Sequence, residues 1–128
     1  MQRLLGLPAW SYHLRKDSNM DIRVGERQSG KTTGLIKQSA LTKAIIVAPT
    51  LTMARYTKEL ATEMNLDIPT PISVYEFIKR KYISCLRDTD RYLIDELQSV
   101  LHIMNVDTAT VDQFNVCFIK GKDEMNAI

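Results

Sequence analysis

Gly25-Glu26-Arg27-Gln28-Ser29-Gly30-Lys31-Thr32 decides how the rest of this chain is read. The stretch fills every fixed position of the pattern G-x-x-x-x-G-K-[ST], whose residue types suit the cradling of a polyphosphate. Gly25 and Gly30 allow a loop to wrap with its amide hydrogens pointing inward, a concave nest for anions to which Glu26, Arg27, Gln28 and Ser29 add their own amides. Lys31 contributes a mobile positive charge. A helix beginning near Gly30 and running on through Thr33 aims its positive dipole end at the same place. The hydroxyl of Thr32 is placed to ligand the Mg²⁺ that accompanies a triphosphate. Four weak devices converge on one polyanion, and the expected ligand is a nucleoside triphosphate, ATP or GTP.

Such a loop needs a strand before it and a helix after it. Met20, Ile22 and Val24 alternate with Asp21 and Arg23, the period-two pattern of a short strand, although a central buried strand is usually more uniformly apolar. From Lys31 to Leu41, Leu35, Ile36 and Ala40 recur at helix spacing, with Gly34 the one poor helix former.

A second acidic site is also required, and Tyr92-Leu93-Ile94-Asp95-Glu96 supplies it. If Leu93 and Ile94 lie in a buried parallel strand, Asp95 emerges at its carboxyl end, where ligands of open α/β sheets gather. Asp95 can then hold Mg²⁺, commonly through water. Glu96 can orient and deprotonate an attacking water. The alternative is a solvated acidic pair at a strand end.

These segments resemble the Walker A and Walker B motifs of P-loop ATPases that use a catalytic glutamate. That resemblance implies a three-layer α/β/α P-loop NTPase fold with a mainly parallel RecA-like sheet, catalytic roles for Glu96 and Lys31, and ATP with Mg²⁺ held by Thr32 and Asp95. Asp95-Glu96-Leu97-Gln98 is similar to motif II of superfamily 1 helicases, and Ala44-Ile45-Ile46-Val47-Ala48-Pro49-Thr50 to their motif Ia. In that family Gln98 would sense the γ-phosphate and Thr50 would lie near a nucleic-acid backbone. Arg27-Gln28-Ser29-Gly30-Lys31-Thr32-Thr33 resembles instead the Walker A of viral large terminases, in which Arg27 would assist catalysis in cis. An arginine so placed is worth roughly 10³ to 10⁵ in rate. A solvent-facing Arg27 is the other reading.

The functional expectation is an ATP-hydrolysing motor core, helicase-like or packaging-like, in viral or mobile-element DNA metabolism. The alternative is a nucleotide-binding adaptor or loader that regulates a partner motor with little hydrolysis of its own. A kinase resembling thymidine kinase is disfavoured, because no acceptor lid and no zinc-holding cysteine pairs are found. Cys85 and Cys117 form no C-x-x-C pair and read as reduced core thiols, and His13 and His102 stand isolated.

Composition sets the bounds. A chain of 128 residues with 45% hydrophobic content supports one compact core. The expected layout is an N-terminal arm over 1–19, the nucleotide-binding domain over 20–122 and a tail over 123–128. Any trans-acting arginine would then come from another copy or a partner motor, so a homo-oligomer is one expectation. With 17 basic and 15 acidic residues the net charge is +2, far from the balance of a dedicated nucleic-acid coat. Lys79-Arg80-Lys81, between Phe77 and Tyr82, is the one compact basic cluster and could touch DNA phosphates, although it falls mainly off the apolar stripe of Val74, Phe77, Ile78, Tyr82 and Cys85. No stretch approaches the ~20 apolar residues of a membrane span. Residues 1–10 are too short, and too broken by Gly6 and Pro8, for a secretion signal, so a cytoplasmic location, that of a host cell if viral, is expected.

The remaining elements follow by pattern. Ala44 to Ala48, ended by Pro49, suits a buried parallel strand. Met53, Tyr56, Leu60, Ala61 and Met64 mark a helix face. Leu66 to Ile72 should be extended, but Pro69 and Pro71 confine it to an edge or a very short strand. Ser73 and Glu76 have capping-box spacing, which starts a helix running to about Cys85. Leu97, Val100, Leu101 and Met104 predict another helix. Asn115 to Ile119 reads as a strand returning beside the phosphate-loop strand, with Lys120 beyond it as a γ-phosphate sensor or a solvated lysine. Trp10 or Tyr12 would stack on adenine, unless the arm packs Leu4, Leu5 and Trp10 on the sheet.

Overall fold

A computed structural model describes residues 20–26, 30–84, 88–110 and 115–118. Strands and helices alternate through these residues: β1 (Asp21–Val24), α1 (Lys31–Thr42), β2 (Ile45–Ala48), α2 (Leu51–Glu63), β3 (Ile72–Ser73), α3 (Val74–Ser84), β4 (Tyr92–Ile94), α4 (Leu97–Ile103) and β5 (Asn115–Phe118). Every strand pairing among them is parallel. The order β3-β2-β4 makes one three-stranded sheet, and β1 pairs separately with β5. The chain is thus α/β with a small parallel sheet, and the last strand does return beside the phosphate-loop strand, Asp21 facing Asn115 and Val24 facing Phe118. The expected arm, the tail, Trp10, Tyr12, His13, Cys85 and Lys120 lie outside the described residues.

The core is organised around β2. Its neighbours Ile46 and Val47 are both fully buried, and in a pleated strand successive side chains point to opposite faces. Ile46 packs in one cluster with Ile36 of α1, Ala61 of α2 and Ile68, while Val47 packs in another with Ile72, Val74 of α3 and Val100 of α4. A strand buried on both faces explains the unbroken apolar run Ala44 to Ala48.

The face of α2 is in part the one its periodicity predicts, since Ala61 is fully buried and Leu60 and Met64 pack against its cluster, but the first half of the helix differs. Met53 and Tyr56 are exposed, and the buried positions are Ala54, Thr57 and Ala61. Two alanines and a threonine let the helix lie close to β2, and the Thr57 hydroxyl is satisfied by donating to the Met53 carbonyl at 2.9 Å. Large apolar side chains at 53 and 56 were the stronger pattern signal, but close approach favoured the small ones. A similar correction applies to α3, where Val74 is buried and Phe77 half-buried, while Ile78 and Tyr82 of the expected stripe are exposed.

Helix ends follow local chemistry. Thr50 caps α2 by accepting the Met53 amide at 3.2 Å. At its other end Asn65 takes a left-handed φ of 58°, and the Leu66 amide closes back on the Ala61 carbonyl at 2.9 Å. The expected capping box at α3 forms by half: Ser73 Oγ accepts the Glu76 amide at 3.2 Å, whereas the Glu76 carboxylate lies 3.6 Å from Arg80 Nε. Lys43 and Lys58 pin the irregular segment before β3 by donating to the carbonyls of Asp67 and Ile68. As expected from Pro69 and Pro71, β3 is a two-residue edge strand.

Truncating Ile46→Ala should cost about 3 kcal/mol in urea denaturation, the penalty for an unfilled core site. Tyr56→Ala should stay within about 0.5 kcal/mol, as exposed positions do. The reverse order would place Tyr56 on the buried face of α2.

Candidate functional site

Gly30 makes the turn from loop to helix. Its φ of 91° and ψ of 14° lie in the left-handed region, and an added Cβ would meet nothing within 4 Å, so the requirement for glycine is conformational rather than steric. The Gly34 amide bonds the Gly30 carbonyl at 2.9 Å, starting α1 where the sequence pattern demands it. Lys31 then turns back over the loop, its Nζ donating to the Gly25 carbonyl and, at 3.0 Å, to the Glu26 carbonyl. Arg27, Gln28 and Ser29 lie outside the described residues, so the structure bears on the two ends of the loop.

The acidic residues are placed by the β2–β4 ladder. Val47 faces Ile94 in the register, and the Asp95 amide donates to the Val47 carbonyl at 2.9 Å, which fixes Asp95 one step past the strand's carboxyl end. β4 is less buried than its apolar run predicts: Leu93 is half-buried and Ile94 is 37% exposed. The reason lies in its pairing, since β2 is its only partner among the described residues. The start of β4 is held by a polar cluster: Tyr92 donates to Asp88 at 2.5 Å, Lys81 lies 3.4 Å from the same carboxylate, and its ammonium sits 4.8 Å from the Tyr92 ring centroid. The Tyr92 hydroxyl, foremost, holds the Asp88 carboxyl below the usual range. Lys81, which the sequence offers as a phosphate contact, is committed to this cluster, and Arg80 is partly committed to Glu76.

Thr32 and Asp95, 63 positions apart in the chain, meet: Thr32 Oγ1 donates to Asp95 Oδ2 at 2.9 Å. Asp95 is 6% exposed. Burial pushes its carboxyl above the usual aspartate value, against which the Thr32 hydrogen bond acts, and the neighbouring Glu96 charge pushes it further up. Asp95 is therefore an anion held at a cost, poised for a compensating positive charge.

Glu96 occupies the N-cap of α4 with φ 59° and ψ 58°, a left-handed conformation rare for a residue with a side chain. Its carbonyl accepts the amides of Ser99 and Val100, and its carboxylate accepts Gln98 Nε2 at 2.5 Å. The sequence pattern pairs Gln98 with a phosphate; the structure pairs it with Glu96. No sequence signal marks that contact, nor the left-handed turn that makes it. Thr33 lies half-buried in the first turn of α1.

Family models, curated proteins and solved structures offered no match to this chain. The chemistry is accordingly read from the residues alone. Thr32 and Asp95 bring a neutral hydroxyl and a carboxylate oxygen to one point, a donor set suited to a small hard cation that retains waters and phosphate oxygens as its other ligands. Among the described residues no three His, Cys, Asp or Glu side chains gather in a metal cage. A magnesium ion that arrives with its triphosphate needs no such cage.

Because the raised Asp95 value means that ionisation costs folding energy, the stabilising protonated form is present at low pH and is lost as pH rises through the raised folded value. Asp95→Asn should therefore raise Tm at pH 7 while weakening any Mg²⁺ dependence of Tm. A lower Tm would show that the carboxylate is fully compensated in the free protein.

Proposed function

We propose that this chain binds a nucleoside triphosphate, ATP by resemblance, together with Mg²⁺, and hydrolyses it. The observation that carries the reading is the Thr32–Asp95 hydrogen bond, which joins the end of the glycine-rich loop to the carboxyl end of β4. Several independent features support it: the left-handed Gly30, the lysine gathered on the loop, and the buried carboxylate. In the fold proposed here, the two sets of paired strands, β3-β2-β4 and β1-β5, belong to one RecA-like three-layer α/β/α arrangement.

The residues divide the work. Loop amides and Lys31 bind the β and γ phosphates, Lys31 exchanging the carbonyls of Gly25 and Glu26 for phosphate oxygens. Thr32 and Asp95 would hold the cation, which when bound would supply neutralisation of the phosphate charge. Glu96 takes a proton from a water whose oxygen attacks the γ phosphorus in line, the bond to the β–γ bridging oxygen breaks, and the diphosphate leaves. Arg27, adjacent to the γ phosphate in the terminase-like reading, would stabilise charge there.

The resemblances to helicases and terminases support a role for this hydrolysis in viral or mobile-element DNA metabolism, with DNA, a second copy or a partner motor as the macromolecular partner. Among the described residues no helix is long and apolar enough to cross a membrane. The adaptor reading, with slow intrinsic turnover, is favoured by one observation, the engagement of the Glu96 carboxylate by Gln98.

Lys31→Ala should weaken Mg·ATP binding roughly 30- to 100-fold in calorimetry, the loss of a charge-assisted contact. Glu96→Gln should bind Mg·ATP as the parent does and lose a factor of about 10² to 10⁴ in phosphate release. Parental turnover in Glu96→Gln would remove Glu96 as the base. Phosphate release measured with and without single- and double-stranded DNA separates a motor core, which is stimulated, from an adaptor, which stays near silent.

A further inference from the structure

Among the described residues, Lys31, Thr32, Gln98 and the two carboxylates of the candidate site are all engaged inside the protein. Lys31 donates to its own loop, Thr32 to Asp95, and Gln98 to Glu96. The first two contacts are the kind a ligand replaces with better ones, since a phosphate succeeds the loop carbonyls and a cation succeeds the hydroxyl proton. The third is different. A general base must present an oxygen lone pair to water, and one of the two carboxylate oxygens of Glu96, Oε2, already accepts an amide hydrogen from Gln98 at 2.5 Å, which restrains how the group can turn.

The backbone reinforces the arrangement. An L-residue stays in the left-handed region only where its surroundings over-determine it, and at Glu96 two anchors do so. Its carbonyl is tied to the amides of Ser99 and Val100, and its carboxylate to Gln98 on the same first turn of α4. Both ends of Glu96 are thereby fixed to α4. The carboxylate is thus directed by the helix rather than by a substrate water.

We infer that Gln98 is a positioning residue that restrains Glu96 in the resting protein, acting as a brake on the hydrolysis proposed above, on which this inference rests. Any bound acceptor oxygen that draws the Gln98 amide away releases the base. Intrinsic turnover is slow for this reason, and stimulation by a partner consists at least in part of breaking one side-chain contact.

The test uses Gln98→Met, which keeps the length of the side chain and its fitness for a helix but removes the donor. In steady-state phosphate release, kcat should rise roughly three- to tenfold, the modest gain expected for losing one solvent-exposed charge-assisted bond, with KM within about twofold. The double variant Glu96→Gln/Gln98→Met should fall to the level of Glu96→Gln alone. The side-chain amide resonances of Gln98, assigned by their loss in Gln98→Met, should shift in Glu96→Ala.

An unchanged or lower kcat in Gln98→Met, with Glu96-dependent turnover intact in the parent, overturns the brake and leaves the hydrolytic reading standing. Resonances that ignore Glu96→Ala refute the contact itself. If they shift while no variant shows Glu96-dependent turnover, the hydrolytic reading falls and the brake with it.

Discussion

A single side-chain contact ties the two halves of the candidate site together: the Thr32 hydroxyl donating to the Asp95 carboxylate. Around it the α/β scaffold is a set of positioning constraints. Gly30 starts α1 by a left-handed turn, so Thr32 projects from the first turn of that helix. The β2–β4 register places Asp95 just past a strand end, anchored by the Val47 carbonyl. Val47 is itself fully buried between strand and helices. Core packing thus sets where the carboxylate lies, and that carboxylate sits buried at an energetic cost that bound magnesium would offset.

The same logic accounts for the contacts that the described site residues make within the chain. Buried or half-buried polar groups need partners, and without a ligand they take the nearest ones. Lys31 finds loop carbonyls, Thr32 finds Asp95 and Glu96 finds Gln98. A triphosphate bound as proposed would bind by exchange at these residues, its contacts to Lys31 and its cation's contacts to Thr32 and Asp95 displacing ones already made within the chain. Affinity is then a difference between two sets of charge-assisted bonds, and regulation can act on either set.

The elements were readable because their signals were local. The strand Ala44 to Ala48, the edge strand forced short by Pro69 and Pro71 and the helix capped at Ser73 follow from period, proline chemistry and cap spacing, whereas the pairing of β5 with β1 is a long-range feature that no local signal carries. In α2 the pattern is right for Leu60, Ala61 and Met64 but not for the first half, because Met53 and Tyr56 outweigh Ala54 and Thr57 in any hydrophobic count, whereas closeness to β2 selects the smaller residues. Ile94 and Tyr82 look buried in the sequence for a related reason: apolarity says what a residue tolerates, and tertiary neighbours decide what it receives. Of the site, the positions Lys31, Thr32, Asp95 and Glu96 were readable from motif spacing. The Gln98–Glu96 contact was not, since it depends on one residue adopting a positive φ.

The central claim is that Lys31, Thr32 and Asp95 surround one metal-bound triphosphate. A crystal structure with a non-hydrolysable ATP analogue and Mn²⁺, whose anomalous signal locates the ion, tests it directly. The account predicts an anomalous peak at about 2.2 Å from Thr32 Oγ1, Asp95 bound to it directly or through one water, and Lys31 Nζ on the β and γ oxygens. An ion and nucleotide seated away from these three residues would contradict it.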